Sequence, residues 1–173
     1  SQTIDDFANF FKPDRQKEYV NVNDVCDKAL DILSKLILKS NIQVQRSYKV
    51  EHNISIYERS LLHVIVNLIN NVKDAYESSD AKDRYLKITT YKKDDTIILE
   101  FLDNAGGIDE DKLEKIFDPY FSTKNKHNGT GLGLYMSKEI LEKHMHSSIE
   151  AQNYMNGALF RVSIPYTENC QEN

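Results

Sequence analysis

The sequence predicts an α+β fold, a two-layer sandwich of three helices on a mixed, largely antiparallel sheet. Three long segments place apolar residues at helical spacing, while several shorter ones alternate apolar and polar residues as strands do. The chain has 173 residues, 40% of them hydrophobic and 28% charged, which is the composition of an ordinary globular domain. This length suffices for one domain with a single core and a short appendage.

The N-terminal half is predicted to hold two helices and two strands. Asp24 is predicted to cap a helix that continues to Lys39. The second helix is expected to start at Ser55 or Ile56 and to end at Glu77. Strands are expected at 19–21 and 42–48. The buried face of the first helix is predicted from its spacing to comprise Val25, Ala29, Ile32, Leu33, Leu36 and Ile37.

The C-terminal half is predicted to begin with a β-hairpin and to close with two further strands. The hairpin joins strands at 85–91 and 96–102 through a turn at 93–95. A helical turn near 112–116 and an exposed loop at 118–128 lead to the third helix, which opens at 129–134 and ends near 144. The closing strands are expected at 148–153 and 157–165.

Charge and composition exclude several classes of function. The net charge of −5 argues against a nucleic-acid-binding protein, which would carry a basic excess, and against an anionic membrane surface as main partner. No apolar run approaches the roughly 18 residues that span a bilayer. Cys26 and Cys170 match no metal spacing and are expected to be free thiols in a reducing, cytoplasmic compartment.

The second helix carries an unusual polar stripe beside its apolar face. Asn67, Asn71 and Asp74 fall at i, i+4 and i+7 and therefore share one side of the helix. Asparagine is a poor helix former, so two of them one turn apart cost stability that a metal or phosphate site would explain. Amide oxygens suit a hard ion such as Mg²⁺. The alternative is a polar flank without a ligand. The predicted apolar face comprises Leu61, Leu62, Val64, Ile65, Leu68, Ile69, Val72 and Ala75.

Two glycine-bearing loops complete the candidate constellation. Asp103 and the pair Gly106–Gly107 follow a strand, where an aspartate can accept from a ligand amine and glycine allows a ligand close to the backbone. The second loop, GTGLGL at 129–134, opens a helix and suits phosphate, and the preceding Lys124 and Lys126 could approach phosphate oxygens. Each loop alone could be an ordinary turn or a solvated segment, but their order and spacing favour a nucleotide site.

These segments resemble the motifs of the histidine-kinase ATPase (Bergerat) fold, which gyrase, Hsp90 and MutL share. NLINN at 67–71 resembles the N box, 103–108 the G1 box, 116–121 the F box and 129–134 the G2 box. Four motifs in order across 19–165 make the resemblance specific. FANFFKP at 7–13 resembles the end of the second dimerisation helix of nitrogen-regulation-type sensor kinases.

The resemblance implies ATP and Mg²⁺ as ligands and assigns roles to the motif residues. Asn71 would ligate Mg²⁺ with support from Asn67, and these two are the predicted catalytic residues. Asp103 would accept from the adenine amino group, and Gly107 and Ile108 would lie against the ring. The phosphates would meet the second glycine loop and a lid at 117–128, through Lys124, Gly129, Thr130, Gly131, Leu132 and Gly133.

Two positions depart from the family pattern. Ala105 stands where the G1 box usually has its first glycine, so Gly106 is expected to supply the backbone freedom that the turn requires. Asp74 stands where other branches often have lysine, so no direct phosphate contact is assigned to it.

The residue at position 67 favours phosphoryl transfer over hydrolysis. Gyrase-type relatives have a glutamate base there, whereas the amide of Asn67 cannot accept a proton from water. The five histidines (52, 63, 127, 144 and 146) lack an H-box setting, so the phosphoacceptor is expected on an upstream segment absent from this chain. The chain alone is therefore expected to bind ATP without autophosphorylating. A hydrolysing ATPase of the same fold and an anti-sigma-type serine kinase remain alternatives.

The expected organisation follows from the same resemblance. Residues 1–13 would end a dimerisation helix, 14–18 form a linker, 19–166 the ATP-binding domain and 167–173 a polar tail. The expected partners are the upstream dimerisation domain and a downstream response regulator, with no nucleic acid. The parent kinase is expected to be a homodimer, which could be membrane-anchored upstream, and the fragment alone could be a monomer.

Overall fold

The computed structural model describes residues 14–121 and 131–167. The helices are α1 (Val22–Ile32), α2 (Ser34–Lys39), α3 (Glu58–Glu77) and α4 (Gly133–Glu139), with a 3₁₀ turn at Glu110–Lys112 and a π-helical turn at Ile140–His144. The strands are β1 (Glu18–Val20), β2 (Gln43–Tyr48), β3 (Ile54–Ile56), β4 (Tyr85–Lys93), β5 (Thr96–Asp103), β6 (Ser148–Tyr154) and β7 (Gly157–Pro165).

The main sheet has five strands in the order β2-β4-β5-β7-β6. Only the β2–β4 pair is parallel, and the β4–β5, β5–β7 and β6–β7 pairs are antiparallel. Strands β1 and β3 form a separate antiparallel pair. The helices pack on one face of the main sheet, which confirms the predicted α+β sandwich and its mixed, largely antiparallel sheet.

Alternation along β5 fixes the position of the first candidate residue. Ile97, Leu99 and Phe101 are fully buried towards the helices, and Asp103 is the next residue in the same alternation. Asp103 is therefore the last core-facing residue of a central strand, and its side chain is only 3% exposed.

Helix α3 lies against this face and carries the polar stripe. Its buried residues follow the predicted spacing from Leu61 to Val72, and Tyr76 continues them at the helix end. The prediction that Ala75 faces the core was wrong, because Ala75 is exposed and the fully buried Tyr76 takes that place.

Helix α1 starts earlier and ends earlier than predicted. Asn21 caps it by accepting from the Asn23 amide at 2.8 Å, so the prediction of Asp24 as the N-cap was wrong. The helix ends at Ile32, and α2 begins after Leu33, whose backbone angles (φ −99°, ψ 12°) depart from those of a helix. This break leaves Ile32 and Leu36, both predicted to be buried, at 60% and 41% exposure.

Two other boundaries also differ from the prediction. Residues 54–56, which the pattern placed at or near the start of the second helix, pair with β1 instead, and α3 begins at Glu58. The third helix begins at Gly133 and changes to π-helical turns at Ile140. Within the described residues, no helix is both long and apolar enough to cross a membrane.

Candidate functional site

The polar stripe of α3 meets the start of α4. Asn67 donates a hydrogen bond from Nδ2 to Ser137 Oγ at 2.9 Å, and Ser137 is fully buried. Asn71 lies one turn further along α3 and is half-buried. The stripe predicted from sequence therefore faces the helix that follows the second glycine loop.

Gly133 allows this close approach. A Cβ atom at Gly133 would overlap the side-chain oxygen of Asn67. Gly133 and Ser137 lie one turn apart on α4 and present the same side to Asn67. The glycine predicted to line phosphates thus also makes room for the first asparagine of the stripe.

Asp103 is a buried carboxylate held by backbone amides. Its Oδ1 accepts from the amide of Ala105 at 3.0 Å and from that of Ala158 at 3.3 Å. Burial raises the pKa of the Asp103 carboxyl above its usual range, and the two amide hydrogen bonds offset part of the rise. Both amides use the same oxygen, so Oδ2 is the atom suited to accept from a ligand amine.

The loop after Asp103 depends on two glycines with left-handed backbone angles. Gly106 has φ +105° and Gly107 has φ +79°, whereas Ala105 does not adopt a positive φ. The expectation that Gly106 supplies the freedom lost at Ala105 is confirmed. Ile108, which follows, is half-exposed and packs against the edge of the core.

Tyr76 anchors this loop, a role that its place in the sequence did not predict. Its hydroxyl accepts from the amides of Tyr85 at 3.1 Å and Asn104 at 3.0 Å. The single hydroxyl proton has two acceptors within reach, the Tyr85 carbonyl at 2.7 Å and the Asn104 side-chain oxygen. One buried hydroxyl therefore joins the end of α3 to the start of β4 and to the loop after β5.

The β6–β7 hairpin holds the same loop from its other side, which was also missed. Asn153 pairs with the backbone of Ile108, and the Gly106 amide donates to the Asn156 carbonyl at 2.7 Å. Gly157 packs so tightly on Asp103 that a Cβ there would overlap the Asp103 carbonyl oxygen. An asparagine at a core-facing position of β6 was the available signal, since Ile149 and Ala151 precede it in the same alternation.

Gly131 packs on the segment of the predicted F box. The Tyr120 amide donates to the Gly131 carbonyl at 2.9 Å, and a Cβ at Gly131, whose φ is +71°, would lie 2.5 Å from the Tyr120 carbonyl carbon. Leu132, between the two glycines, is buried at 5% exposure. The described end of the second glycine loop is thus tied to the described beginning of the predicted lid.

Several predicted site residues have no described position. Lys124, Gly129 and Thr130 lie outside the described residues, as does most of the predicted lid, so their roles stay predictions. Asp74 forms an ion pair with Lys73 at 2.9 Å, in keeping with its lack of an assigned phosphate contact.

Comparison with known proteins supplies the family. Residues 56–168, well over half of the chain, match the model of the histidine kinase-, DNA gyrase B- and HSP90-like ATPases. The two-component sensor PprA of Pseudomonas aeruginosa is 37% identical over 61% of this chain and 12% of its own length. Sporulation kinase E of Bacillus subtilis is 26% identical over 98% of this chain and 22% of its own length. The chain thus spans a small part of these relatives.

The relatives are diverse sensor kinases, so the nitrogen-regulation type suggested by residues 7–13 is not singled out. Among solved structures, the catalytic domain of histidine kinase ThkA is 27% identical with a TM-score of 0.76, covering 88% of this chain and 97% of that one. A structure of ThkA with the response regulator protein TrrA shares the fold, with a TM-score of 0.77 at 22% identity over 96% of this chain and 47% of that one. The chain therefore belongs to the histidine kinase-, DNA gyrase B- and HSP90-like ATPases, as the catalytic ATP-binding domain of a two-component sensor histidine kinase.

Proposed function

We propose that this chain binds ATP with Mg²⁺ and transfers the γ-phosphoryl group to a histidine on an upstream dimerisation domain of its parent kinase. The observation that supports this most strongly is the approach of Asn67 on α3 to Gly133 and Ser137 on α4. This contact joins the candidate metal-binding stripe to the candidate phosphate loop, and Asp103 lies at the end of the adjacent strand β5.

The described residues suit the two halves of a nucleotide. At one end, Oδ2 of the buried Asp103 can accept from the adenine amino group, while Gly107 and Ile108 lie beside the ring. At the other end, Asn71 offers an amide oxygen of the kind that Mg²⁺ accepts together with phosphates and water. Mg²⁺, when bound there, would neutralise phosphate charge during transfer. Lys124, Gly129, Thr130, Gly131, Leu132 and Gly133 are proposed to contact the phosphates.

The residue at 67 supports transfer rather than hydrolysis. The Asn67 amide donates to Ser137 and has no basic atom that could take a proton from water. Phosphoryl transfer instead requires positioning and charge neutralisation, which amides, backbone N–H groups and lysines can supply. The nucleophile must then come from a second protein segment.

Two of the described histidines, His144 and His52, contact aromatic side chains. The His144 ring stacks on Tyr57 with centroids 4.1 Å apart, and His52 Nε2 lies 3.3 Å from the Tyr166 hydroxyl. Tyr166 follows β7 at the end of the sheet opposite Asp103, because β7 runs antiparallel to β5. An acceptor histidine on the dimerisation domain is consistent with these positions, and a response regulator is the proposed downstream partner.

The test is phosphoryl transfer between separate pieces. The chain is incubated with Mg·ATP labelled at the γ-phosphate and with the dimerisation domain of the parent kinase. We expect acid-labile phosphate on that domain, and its loss when the chain carries Asn71→Ala. Acid-stable phosphate on a partner would instead indicate a serine kinase, and turnover without any partner would indicate a hydrolase. Unchanged transfer by Asn71→Ala would overturn the Mg²⁺ assignment.

A further inference from the structure

The side chain of Asn153 pairs with a single residue of the loop that follows Asp103. The Ile108 amide donates to Asn153 Oδ1 at 2.8 Å, and Asn153 Nδ2 donates to the Ile108 carbonyl at 2.6 Å. A carboxamide supplies one acceptor and a donor together, so it can satisfy both polar groups of one peptide residue. Asn153 thereby extends the pairing of the sheet to a loop that belongs to no strand.

The same carboxamide packs against Gly107. A Cβ on Gly107 would lie 2.8 Å from Asn153 Oδ1 and 3.3 Å from the Gly157 carbonyl oxygen. The absence of a side chain at Gly107 therefore leaves room for the Asn153 carboxamide, and the positive φ of Gly107 is one that glycine adopts without strain. The side chain and the loop fit each other at two consecutive residues.

The loop needs such support because its own sequence favours many conformations. Two consecutive glycines lose more conformational entropy on ordering than any other residue pair. If the loop is already ordered before the ligand binds, the binding free energy does not include this loss of entropy. The hairpin also holds the loop by its backbone, through the bonds from Gly106 to Asn156 and from Ala158 to Asp103. Asn153 contributes the side-chain contact of this hairpin that reaches Ile108.

We propose that Asn153 is a positioning residue for adenine recognition, which acts by holding Gly107 and Ile108 in the arrangement that receives the base. The proposal rests on the proposed ATP site. It assigns the β6–β7 hairpin, which lies outside all four sequence motifs, to the base-binding half of that site. Asn153 touches the loop and not the reacting groups, so it affects the binding of the base and not that of the phosphates.

The test compares ligands with and without a base. In Asn153→Asp the side chain keeps its shape and can still accept from Ile108, but a carboxylate oxygen replaces the donor and faces the Ile108 carbonyl. We expect the Kd for Mg·ATP, measured by calorimetry, to rise about tenfold, which corresponds to the loss of roughly one hydrogen bond to a backbone group. The Kd for Mg·tripolyphosphate, measured by NMR titration, should stay within twofold. Gln152→Glu, an exposed amide-to-acid change next in the chain, is the matched control.

A second variant keeps the outcome clear if the aspartate destabilises the fold. Asn153→Ser can make one of the two bonds at most, so we expect an intermediate rise in the Kd for ATP. Equal losses for ATP and tripolyphosphate would show a general structural role and overturn the proposal. An unchanged Kd for ATP in both variants would overturn it while the ATP site stands. A wild-type chain that does not bind ATP would overturn the proposed function together with this inference.

Discussion

The two ends of the candidate site are built by different means. At the base end, which comprises residues 103–108 and the β6–β7 hairpin around them, most hydrogen bonds have a backbone group as one partner, and two glycines pack closely on their neighbours. At the phosphate end, which comprises Asn67, Asn71, Gly133 and Ser137, two helices meet at the side-chain hydrogen bond from Asn67 to Ser137 and at the close approach of Gly133 to Asn67.

This difference predicts different responses to mutation. Strand register fixes the base end, because β5 and β6 both pair with β7 and cannot shift independently of it. Changes there should alter the folding free energy or the affinity for the base. The phosphate end depends on the orientation of single side chains between helices, so changes there should alter the rate of transfer more than stability.

Gly157→Ala should have the largest effect, on stability. Its Cβ would overlap the Asp103 carbonyl oxygen, and neither strand can move without breaking the sheet. We expect a loss of about 3 kcal/mol in the free energy of unfolding, measured with denaturant. Gly106→Ala is the control, since a Cβ there meets no atom within 4 Å and costs only the strain of φ +105°, about 1–2 kcal/mol. A smaller loss for Gly157→Ala than for the control would contradict the tight contact between the strands.

Asp103→Asn, at the base end, should lower the affinity for ATP without lowering the stability of the fold. The Asn side-chain oxygen can still accept from Ala105 and Ala158, but its NH₂ group would face the adenine amino group, donor against donor. We expect ATP affinity to fall about 10- to 100-fold, as for the loss of a charge-assisted hydrogen bond. Glu100→Gln, on the same strand, should bind ATP as the wild type does. A Kd for ATP within twofold of wild type would exclude Asp103 as the adenine contact.

The same variant should also change how the stability of the fold depends on pH. Burial raises the pKa of Asp103 above that of the unfolded chain, so between the two values the folded state binds more protons. The Asp103 contribution to stability therefore falls as pH rises through that interval, and the ionised carboxylate opposes folding at neutral pH. We expect Asp103→Asn to be at least as stable as wild type at pH 7, with a weaker dependence on pH in the acid range. Lower stability of the variant at pH 7 would contradict this sign.

Ser137→Ala, at the phosphate end, should lower the rate of phosphoryl transfer and leave the affinity for ATP nearly unchanged. The change removes the acceptor for Asn67 Nδ2 and leaves the amide free to rotate. We expect phosphoryl transfer in the intact parent kinase to slow about fivefold, equivalent to one neutral hydrogen bond, with ATP affinity within twofold. The double variant with Asn67→Ala should be no slower than Asn67→Ala alone, because Ser137 acts through that residue. Ser147→Ala, another buried serine, is the control. Additive losses would contradict this coupling.

The sequence predicted residues within one segment better than contacts between segments. The strand predicted at 96–102 placed Asp103 at a strand end, and helical spacing placed Asn67 and Asn71 on one side of α3. Ser137 and Asn153 were missed because their partners lie 70 and 45 residues away. Periodicity indicates which face a side chain occupies and cannot specify what it meets there.

The boundaries of some helices were predicted wrongly for a related physical reason, since contacts between segments also decide where a helix begins and ends. Asn21 and Asp24 are both good capping residues, and the burial of Val22 in the core decides between them. The break at Leu33 leaves exposed two residues whose spacing suited a continuous helix. Tyr76 continues the apolar face of α3, and only the tertiary structure shows that its hydroxyl bonds to two other segments.

Glu150→Gln should have the smallest effect of these variants. It tests whether the rest of β6, apart from Asn153, contributes to binding of the base. Glu150 lies on β6 but on the opposite face from Asn153. On that face Arg161 forms an ion pair with Glu150 at 2.8 Å and a second one with Glu100 at 2.7 Å. An exposed ion pair contributes about 0.2–1 kcal/mol to stability. We therefore expect the free energy of unfolding to fall by an amount near the lower end of that range, and by less at high salt. The Kd for ATP should not change. If Glu150→Gln weakened ATP binding as much as Asn153→Asp, the effect at 153 would belong to β6 as a whole and not to its contact with Ile108.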